Sequence, residues 1–221
     1  MNIIAIVKRY ERLASFIYRA LHTSKFKVAK GNTINVSNCF ASSCEFIIIG
    51  YGNEITIEKG MTHLKKCKFY ISGNYNRVHI SNGCKCKETI FHIEDDNNEI
   101  IIKPNVRITG ATQLAVIEGT RIEVGQGCLF SQNITIRTGD SHSILSLESN
   151  KRINPSKNVI IKDYCWIGYS VMILKGTIIN EHSIVASGAI LTGKTFPSNS
   201  IVGGIPGKVL KHGVDWCDKR L

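Results

Sequence analysis

Residues 159–191 read VIIKDYCWIGYSVMILKGTIINEHSIVASGAIL, and aliphatic side chains recur in this segment every six positions. The recurring positions are Ile161, Ile167, Ile173, Ile179, Val185 and Leu191. Small or branched residues stand two places before each of them: Val159, Cys165, Val171, Thr177, Ser183 and Ala189. An α-helix would repeat its apolar residues about every 3.6 positions, and a long strand would repeat them every two. A period of six instead indicates short strands joined by tight corners, with two inward side chains on each strand and three strands in each coil.

The same frame extends upstream with longer spacings. The first sides of successive coils begin at Ile34, Ile55, Val78, Ile100, Ile122 and Val159. The second sides are assigned to Phe40, Met61, Cys84, Val106, Cys128 and Cys165, and the third to Phe46, Cys67, Ile90, Thr112, Ile134 and Val171. The residues in excess of three six-residue sides fall at the corner after the third side. The sequence therefore predicts an all-β parallel β-helix of about eight coils over residues 31–206, with an external loop at 137–158.

The two ends depart from this repeat. Residues 1–22 carry apolar side chains at alternating spacings of four and three with basic residues between them, which predicts an amphipathic helix within an N-terminal segment 1–30. We favour packing of this helix on the open first coil, and the alternatives are an oligomer contact or an anionic membrane surface. Residues 207–221 are predicted to form a tail or a short helix.

Composition limits the function classes. The chain has 221 residues, 43% of them hydrophobic, which is too apolar for wholesale disorder. No apolar run is long enough for a membrane-spanning helix, and the N-terminus does not resemble a signal peptide, so a cytoplasmic location is expected. Contact with the inner face of the membrane through residues 1–22 is the alternative. The net charge of +11 suits a polyanionic acceptor or a phosphate-bearing cofactor. No stripe of interleaved basic and aromatic residues indicates nucleic acid.

The cysteines and histidines argue against a metal site. Most of the eight cysteines fall at predicted inward positions, as Cys84, Cys128 and Cys165 do in a single column. Burial as small apolar side chains is therefore favoured over metal binding or disulfides. The frame also places His63 and His92 in inward columns, without the stacked histidines that a three-histidine zinc site would need.

His142 is the candidate for proton transfer because it lies in the predicted external loop, within residues 137–143 (RTGDSHS). An imidazole can take a proton near neutral pH from a hydroxyl that attacks an acyl carbon. Asp140, two places earlier, could orient the ring or fix its tautomer. The alternative is a solvated loop histidine without a chemical role.

Three segments resemble the hexapeptide-repeat acyltransferases, and within that family bacterial O-acetyltransferases that act on capsular, lipopolysaccharide or exopolysaccharide sugars. The segments are residues 166–176 (WIGYSVMILKG), 184–192 (IVASGAILT) and 202–209 (VGGIPGKV). The resemblance implies a left-handed β-helix, a homotrimer, and acetyl-CoA bound between neighbouring subunits. Two departures from the family pattern are the Ser187-Gly188 order and Gly207.

The resemblance also implies roles for individual residues. His142 would be the general base, and Trp166 with Tyr169 would wall the acetyl and acceptor pocket. Gly168 would permit close approach, its amide or a neighbour's meeting the developing oxyanion. The remaining residues expected to contact acetyl-CoA are Ala186, Ser187, Gly188, Lys194, Gly204, Lys208 and Lys211.

The expected function is that of an acetyl-CoA-dependent O-acetyltransferase that modifies a cell-surface polysaccharide sugar or its precursor, without a metal. Basic residues near the second to fourth coils, such as Lys65, Lys85 and Lys87, hint at an acidic acceptor. Two alternatives stay open. One is N-acetylation of an amino-sugar nucleotide, and the other is a non-catalytic β-helix that serves as a scaffold or polysaccharide-binding module.

Overall fold

A computed structural model describes residues 24–36 and 39–219 of the chain. In these residues 25 short strands wind into a triangular prism of about eight coils. Each of its three faces is a parallel sheet, except that the last strand of one face is antiparallel to its neighbour. We call them the first, second and third faces, in the order of the predicted sides. The part of the chain described here contains no helix that is long and apolar enough to cross a membrane.

The strands are numbered in chain order. The first face contains β2 (Thr33–Asn35), β5 (Glu54–Ile57), β8 (Arg77–Ile80), β11 (Glu99–Ile102), β14 (Arg121–Val124), β17 (Val159–Ile161), β20 (Ile178–Ile179) and β23 (Thr195–Phe196). The second face contains β3 (Phe40–Ser42), β6 (His63–Lys65), β9 (Lys85–Lys87), β12 (Arg107–Ile108), β15 (Leu129–Phe130), β18 (Trp166–Ile167), β21 (Ile184–Val185), β24 (Ser200–Gly203) and β25 (Lys208–His212). The third face contains β1 (Lys25–Val28), β4 (Glu45–Ile49), β7 (Lys68–Ser72), β10 (Thr89–Glu94), β13 (Thr112–Val116), β16 (Ile134–Arg137), β19 (Met172–Ile173) and β22 (Ile190–Leu191).

The predicted register of the first face is confirmed. Ile55 pairs with Val78, Val78 with Ile100, and Ile100 with Ile122, as the six-residue frame requires. Ile122 then pairs with Val159 across the long insertion, so the external loop does not disturb the ladder. These side chains are buried and form the core of the prism.

Two ladders inside the prism explain why the coils stack in this register. Phe26, Phe46, Phe69 and Phe91 stack in parallel on the third face, with neighbouring ring centroids 4.5–4.7 Å apart. At the corner between the third and first faces, four asparagines form a ladder in which the side-chain NH₂ of each donates to the side-chain oxygen of the one on the preceding coil. They are Asn32, Asn53, Asn76 and Asn98. The asparagine ladder satisfies backbone amides that the sharp corners leave unpaired.

The second and third sides of the early coils were predicted only partly in register: Cys67 and Cys84 lie in buried columns as predicted, whereas Phe40, Met61 and Ile90 are not buried. The buried column of the second face is formed by Cys39 and Thr62, whereas Met61 is exposed. On the third face Phe91 and Ile93 point inward, which places His92 on the outside, and His63 also faces outward beside Lys85. The inward placement of both histidines was therefore wrong. A fixed count of six fails here because the early third-face strands are five or six residues long and because corner lengths vary.

Both ends of the prism differ from the predicted boundaries. Residues 25–28 form β1 and pair with β4, so the predicted N-terminal segment 1–30 ends too late. The helix predicted for residues 1–22 lies outside the described residues. At the other end, the short helix considered for the tail is wrong in its first part, because Lys208–His212 forms β25, antiparallel to β24.

The burial predicted for the cysteines is confirmed. Seven of the eight are buried, and Cys217 in the C-terminal tail is exposed. Burial raises the pKa of the Cys84 thiol to about 11. These side chains behave as the small apolar fillers that a narrow inward column needs.

Candidate functional site

The long loop, residues 138–158, leaves the prism at the corner between the third and first faces, where the sequence places it. Its two ends are held together by a hydrogen bond from the Lys157 amide to the Thr138 carbonyl, 2.9 Å long. Gly139 lies at the point of closest approach, because a Cβ there would come within 2.3 Å of the Ser156 hydroxyl. The loop is therefore fixed at its base by backbone contacts.

Asn154 anchors the interior of the loop. Only 7% of its surface is exposed, and its side-chain NH₂ donates to the Asp140 carboxylate and to the His142 carbonyl, both at 2.8 Å. Its side-chain oxygen accepts from the Ile144 amide at 2.7 Å. The backbone amide of Ile153 donates to the Ile144 carbonyl at 2.9 Å, which makes this part of the loop a small hairpin. One buried amide side chain thus fixes the backbone at His142 and Ile144 and also binds the Asp140 side chain.

Two ion pairs tie the loop to the prism. The Lys175 ammonium binds the Asp140 carboxylate and also donates to the Asn154 carbonyl at 3.0 Å. Arg152 donates to Glu118 at 2.6 Å. The hydrogen bond from Lys175, and to a lesser extent that from Asn154, holds the pKa of Asp140 below its ordinary value. The hydrogen bond from Arg152 lowers the pKa of Glu118 in the same way. Both carboxylates are therefore charged at neutral pH and attach the loop.

His142 is exposed on this ordered loop. Among the described residues, no hydrogen bond joins its ring to Asp140, whose carboxylate is held by Lys175 and Asn154. The prediction that Asp140 orients the imidazole is thus not met in this structure. The physical reason is that the Asp140 carboxylate is already engaged by the Lys175 ammonium and the Asn154 amide.

A cleft of about 590 Å³ lies between the loop and the corners of the last coils. Aliphatic side chains of Ile144, Ile153 and Leu174 line it together with the lysines at 157 and 175. Lys194 follows Gly193 at the rim of this corner and is exposed. An apolar channel with cations at its edges suits an elongated ligand that combines an aliphatic arm with phosphates.

The remaining predicted residues lie on a different side of the prism. Trp166 is on the second face, 40% exposed, between Leu129 and Ile184 in the ladder. Tyr169 is exposed at the following corner, between the second and third faces. In a triangular prism the second face is opposite the corner that carries His142. One chain therefore does not bring His142 and Trp166 together.

Gly168 has a packing role that the sequence did not reveal. A Cβ at this position would lie 2.7 Å from both the Ser187 amide and the Val185 carbonyl of the next coil. Its own amide donates to Val185 at 2.8 Å. Gly168 is buried by the neighbouring coil, and its own amide is used in the ladder. The role at the oxyanion, which we assigned to this amide or a neighbour's, stays a prediction.

The corner between the second and third faces carries most of the residues expected to bind the cofactor. Ala186, Ser187 and Gly188 lie there on one coil, and Gly204 lies there on the next. The Ser187 hydroxyl accepts from the Tyr169 amide at 3.1 Å, so the Ser-Gly order secures the corner. Gly188 has φ +73° and open space around its Cβ position, which leaves its backbone accessible.

The three predicted lysines are separated. Lys208 and Lys211 are on β25, where they pair with Gly203 and Ile201 at the last coil of the second face. Lys194 is at the opposite corner, below the loop. The structure therefore groups the predicted residues into two sets, one around the loop and one around the second face.

Sequence reasoning missed Asn154, Lys175 and Trp216. Lys175 stands within the quoted segment 166–176, and its spacing from the loop could have suggested a contact. Trp216 packs beside Trp166 with ring centroids 6.1 Å apart, although it lies in the tail fifty residues later in the chain. No periodic signal points to it. The described residues contain no group of three His, Cys, Asp or Glu side chains that could hold a metal ion.

No protein-family model matches the chain. It is 31% identical over 143 residues to a polysialic acid O-acetyltransferase of Escherichia coli O1:K1 / APEC, which covers 65% of this chain and 45% of the relative. It is 30% identical over 126 residues to a polysialic acid O-acetyltransferase of Neisseria meningitidis, which covers 48% of this chain and 59% of the relative. The chain thus spans about half the length of these curated relatives.

Solved structures match over more of the chain. The polysialic acid O-acetyltransferase OatWY superposes with a TM-score of 0.81 and 27% identity, covering 90% of this chain and 93% of that one. The polySia-specific acetyltransferase NeuO superposes with a TM-score of 0.76 and 24% identity, covering 90% and 89%. These neighbours are left-handed β-helix acetyltransferases, which confirms the expected fold.

Proposed function

Because the chain is related in sequence and in fold to left-handed β-helix acetyltransferases, we propose that it transfers an acetyl group from acetyl-CoA to a hydroxyl of a cell-surface polysaccharide or its precursor. The observation that carries the proposal is His142, exposed on a loop whose backbone Asn154 binds at the His142 carbonyl and at the Ile144 amide. The two relatives are polysialic acid O-acetyltransferases, which supports an acidic acceptor, as does the basic charge of the chain.

The cleft beneath the loop fits acetyl-CoA. Its aliphatic wall suits the pantetheine arm. Lys157 in its lining, and Lys194 next in sequence to the lining residue Gly193, suit the nucleotide phosphates. The open backbone at Gly188 offers a second place of close approach on a neighbouring subunit. When bound, acetyl-CoA supplies a thioester, whose carbonyl carbon is open to attack by an oxygen nucleophile.

The His142 ring takes the proton of the acceptor hydroxyl as its oxygen bonds to the acetyl carbon. The carbon–sulfur bond then breaks, and the proton passes to the departing thiolate, which leaves a sugar ester and free CoA thiol. The exposure of the His142 ring favours this role, because an acceptor hydroxyl can reach it. Trp166 would form the apolar wall on which the acceptor ring and the acetyl methyl pack.

The positions of His142 and Trp166 support a homotrimer. Since the loop corner and the second face are on opposite sides of one prism, a site that uses both residues needs two chains. A loop from one subunit directed at the second face of its neighbour, repeated around a threefold axis, gives three equivalent sites. We place this enzyme in the cytoplasm, with residues 1–22 as its candidate contact with the membrane.

The test is release of CoA thiol from acetyl-CoA with a panel of acidic and neutral oligosaccharides and amino-sugar nucleotides. We expect transfer to an oligosaccharide hydroxyl and a loss of two or more orders of magnitude in His142→Ala, by analogy with other general bases. Ser149→Ala in the same exposed loop is the matched control. Preference for an amino-sugar nucleotide would favour the N-acetyltransferase alternative, and no thiol release with any acceptor would favour a non-catalytic scaffold.

A further inference from the structure

The C-terminal tail, residues 213–219, runs back along the corner between the first and second faces. Its backbone first pairs with Asn199, where the Val214 amide donates to the Asn199 carbonyl at 3.0 Å. Asp215 then contacts His182 at 3.1 Å, and the Trp216 indole NH donates to the Tyr164 carbonyl at 2.6 Å. These anchors lie on successively earlier coils, so the tail follows the prism axis as an ordered segment.

A cavity of about 620 Å³ lies between the tail and the second face. Lys85 and Arg107 supply positive charge to its wall, and Tyr164 and Trp216 supply aromatic surface. Cations beside flat aromatic rings are suited to a ligand with an anionic group and a partly apolar ring. We call this space the tail cavity.

The tail cavity is continuous with the proposed acceptor site. Lys85, Arg107, Leu129 and Trp166 occupy one outward column of the second face, one residue on each successive coil. Coils are spaced by about 4.8 Å, so Arg107 is roughly 10 Å from Trp166 along the axis. Trp216 bridges the two places by packing beside Trp166. A chain of sugar units lying along this column would contact both.

The tail itself places a carboxylate in the cavity. Asp218 accepts from the Arg107 guanidinium at 3.0 Å. The two side chains are 39% and 50% exposed, and ion pairs of that exposure contribute little stability, so another carboxylate can replace Asp218 at small cost. Asp215 is held by His182. Lys85 has no ion-pair partner within the described residues and therefore remains available to a ligand.

We propose that the tail cavity binds the carboxylate of an acidic sugar unit in the acceptor chain, one or two units away from the hydroxyl that is acetylated. Arg107 and Lys85 bind the carboxylate in place of Asp218, and the Trp216 ring packs against the sugar. This inference rests on the proposed acetyltransferase function and adds a subsite to it. Trp216 is a specificity residue in this arrangement, because it joins the carboxylate subsite to the pocket at Trp166.

Direct binding tests the subsite independently of catalysis. A sialic acid oligomer is titrated into the full chain by calorimetry and by NMR, beside the same oligomer with its carboxylates converted to methyl esters. We expect the acid to bind about tenfold more tightly than the ester, and Arg107→Gln to remove most of that difference. Arg77→Gln is the matched control, because it removes one exposed arginine from the first face. Equal affinities for acid and ester, or equal losses in the two variants, would overturn the proposal.

Kinetics separates this subsite from the activity itself. These measurements assume that the wild-type chain transfers acetyl groups to the acid oligomer. Arg107→Gln should then raise the KM for the oligomer roughly tenfold, with a much smaller change in kcat. Asp218→Asn should lower the same KM two- to threefold, because it removes the competing carboxylate. If the wild-type chain is active and neither variant changes the KM, the result would contradict the subsite but not the proposed function. Absence of transfer in wild type would contradict the proposed function, and the binding titration would still decide the subsite.

Discussion

Replacing Asn154 with alanine should disorder the loop that carries His142 while leaving the prism intact. The side chain makes three hydrogen bonds at 2.7–2.8 Å, to Asp140, to the His142 carbonyl and from the Ile144 amide. A net contribution of about 1 kcal/mol for each bond gives about 3 kcal/mol, and partial replacement by water in the exposed loop reduces this to about 2 kcal/mol. That free energy corresponds to a shift of roughly thirtyfold in the balance between ordered and disordered loop.

Two measurements follow the Asn154→Ala loop. Hydrogen exchange at the Ile144 and Ile153 amides should accelerate by one order of magnitude or more, because both amides are bonded within the loop. The kcat/KM for acetyl transfer should fall roughly ten- to thirtyfold, with the melting temperature nearly unchanged because the core is not touched. Ser149→Ala is the control. Exchange and activity indistinguishable from that control would refute the anchoring role of Asn154.

Four further predictions concern packing, protonation and thiol access. Gly168→Ala should destabilise the fold by about 2 kcal/mol, because its Cβ would meet backbone atoms at 2.7 Å. Gly188→Ala should cost only about 1 kcal/mol, because its Cβ position is open and only its positive φ is unfavourable. Thermal unfolding of the two variants measures the difference. Phe69→Ala should cost about 3–5 kcal/mol by opening the aromatic stack, and denaturant unfolding measures it. Arg152 depresses the pKa of Glu118 in the folded chain. The stability that this ion pair gives the loop is therefore fully present at pH values above 4.5, the ordinary pKa of glutamate. It is lost as the pH falls through the lowered pKa of the folded chain. Loop hydrogen exchange should show this acid loosening, and Glu118→Gln should show loosened exchange already at neutral pH; a wild-type loop equally protected at all pH values would contradict it. Of the eight thiols only Cys217 should react rapidly with a thiol reagent in the native chain, and rapid reaction of two or more would show that the inward columns open.

Much of the fold could be predicted from the sequence because the β-helix repeats one local rule. A coil buries the residues at fixed positions of each short strand, so the spacing of Val, Ile and Cys is visible in the chain itself. The prediction failed where the count of six is not kept, as at Met61, where one extra corner residue moves Thr62 into the core. It also failed at His92, because the early third-face strands are longer than those of the last coils.

The candidate site was less predictable because it depends on contacts between residues far apart in the chain. The loop and His142 could be identified from the break in the repeat. The partner of Asp140 could not, since Lys175 follows 35 positions later and reaches the loop only through the stacking of coils. Trp216 carries no repeat signal, and it reaches Trp166 because the tail turns back after β25.

The arrangement of His142 and Trp166 has a direct test in mixed trimers. The His142→Ala and Trp166→Ala variants are each expected to be inactive alone. In the experiment the two variant chains are unfolded, mixed in equal amounts and refolded together. If each site takes His142 from one subunit and Trp166 from its neighbour, about one interface in four carries both intact residues, and acetyl transfer should recover to about a quarter of the wild-type rate. A mixture that forms trimers and remains as inactive as its two parents would contradict an active site shared between subunits.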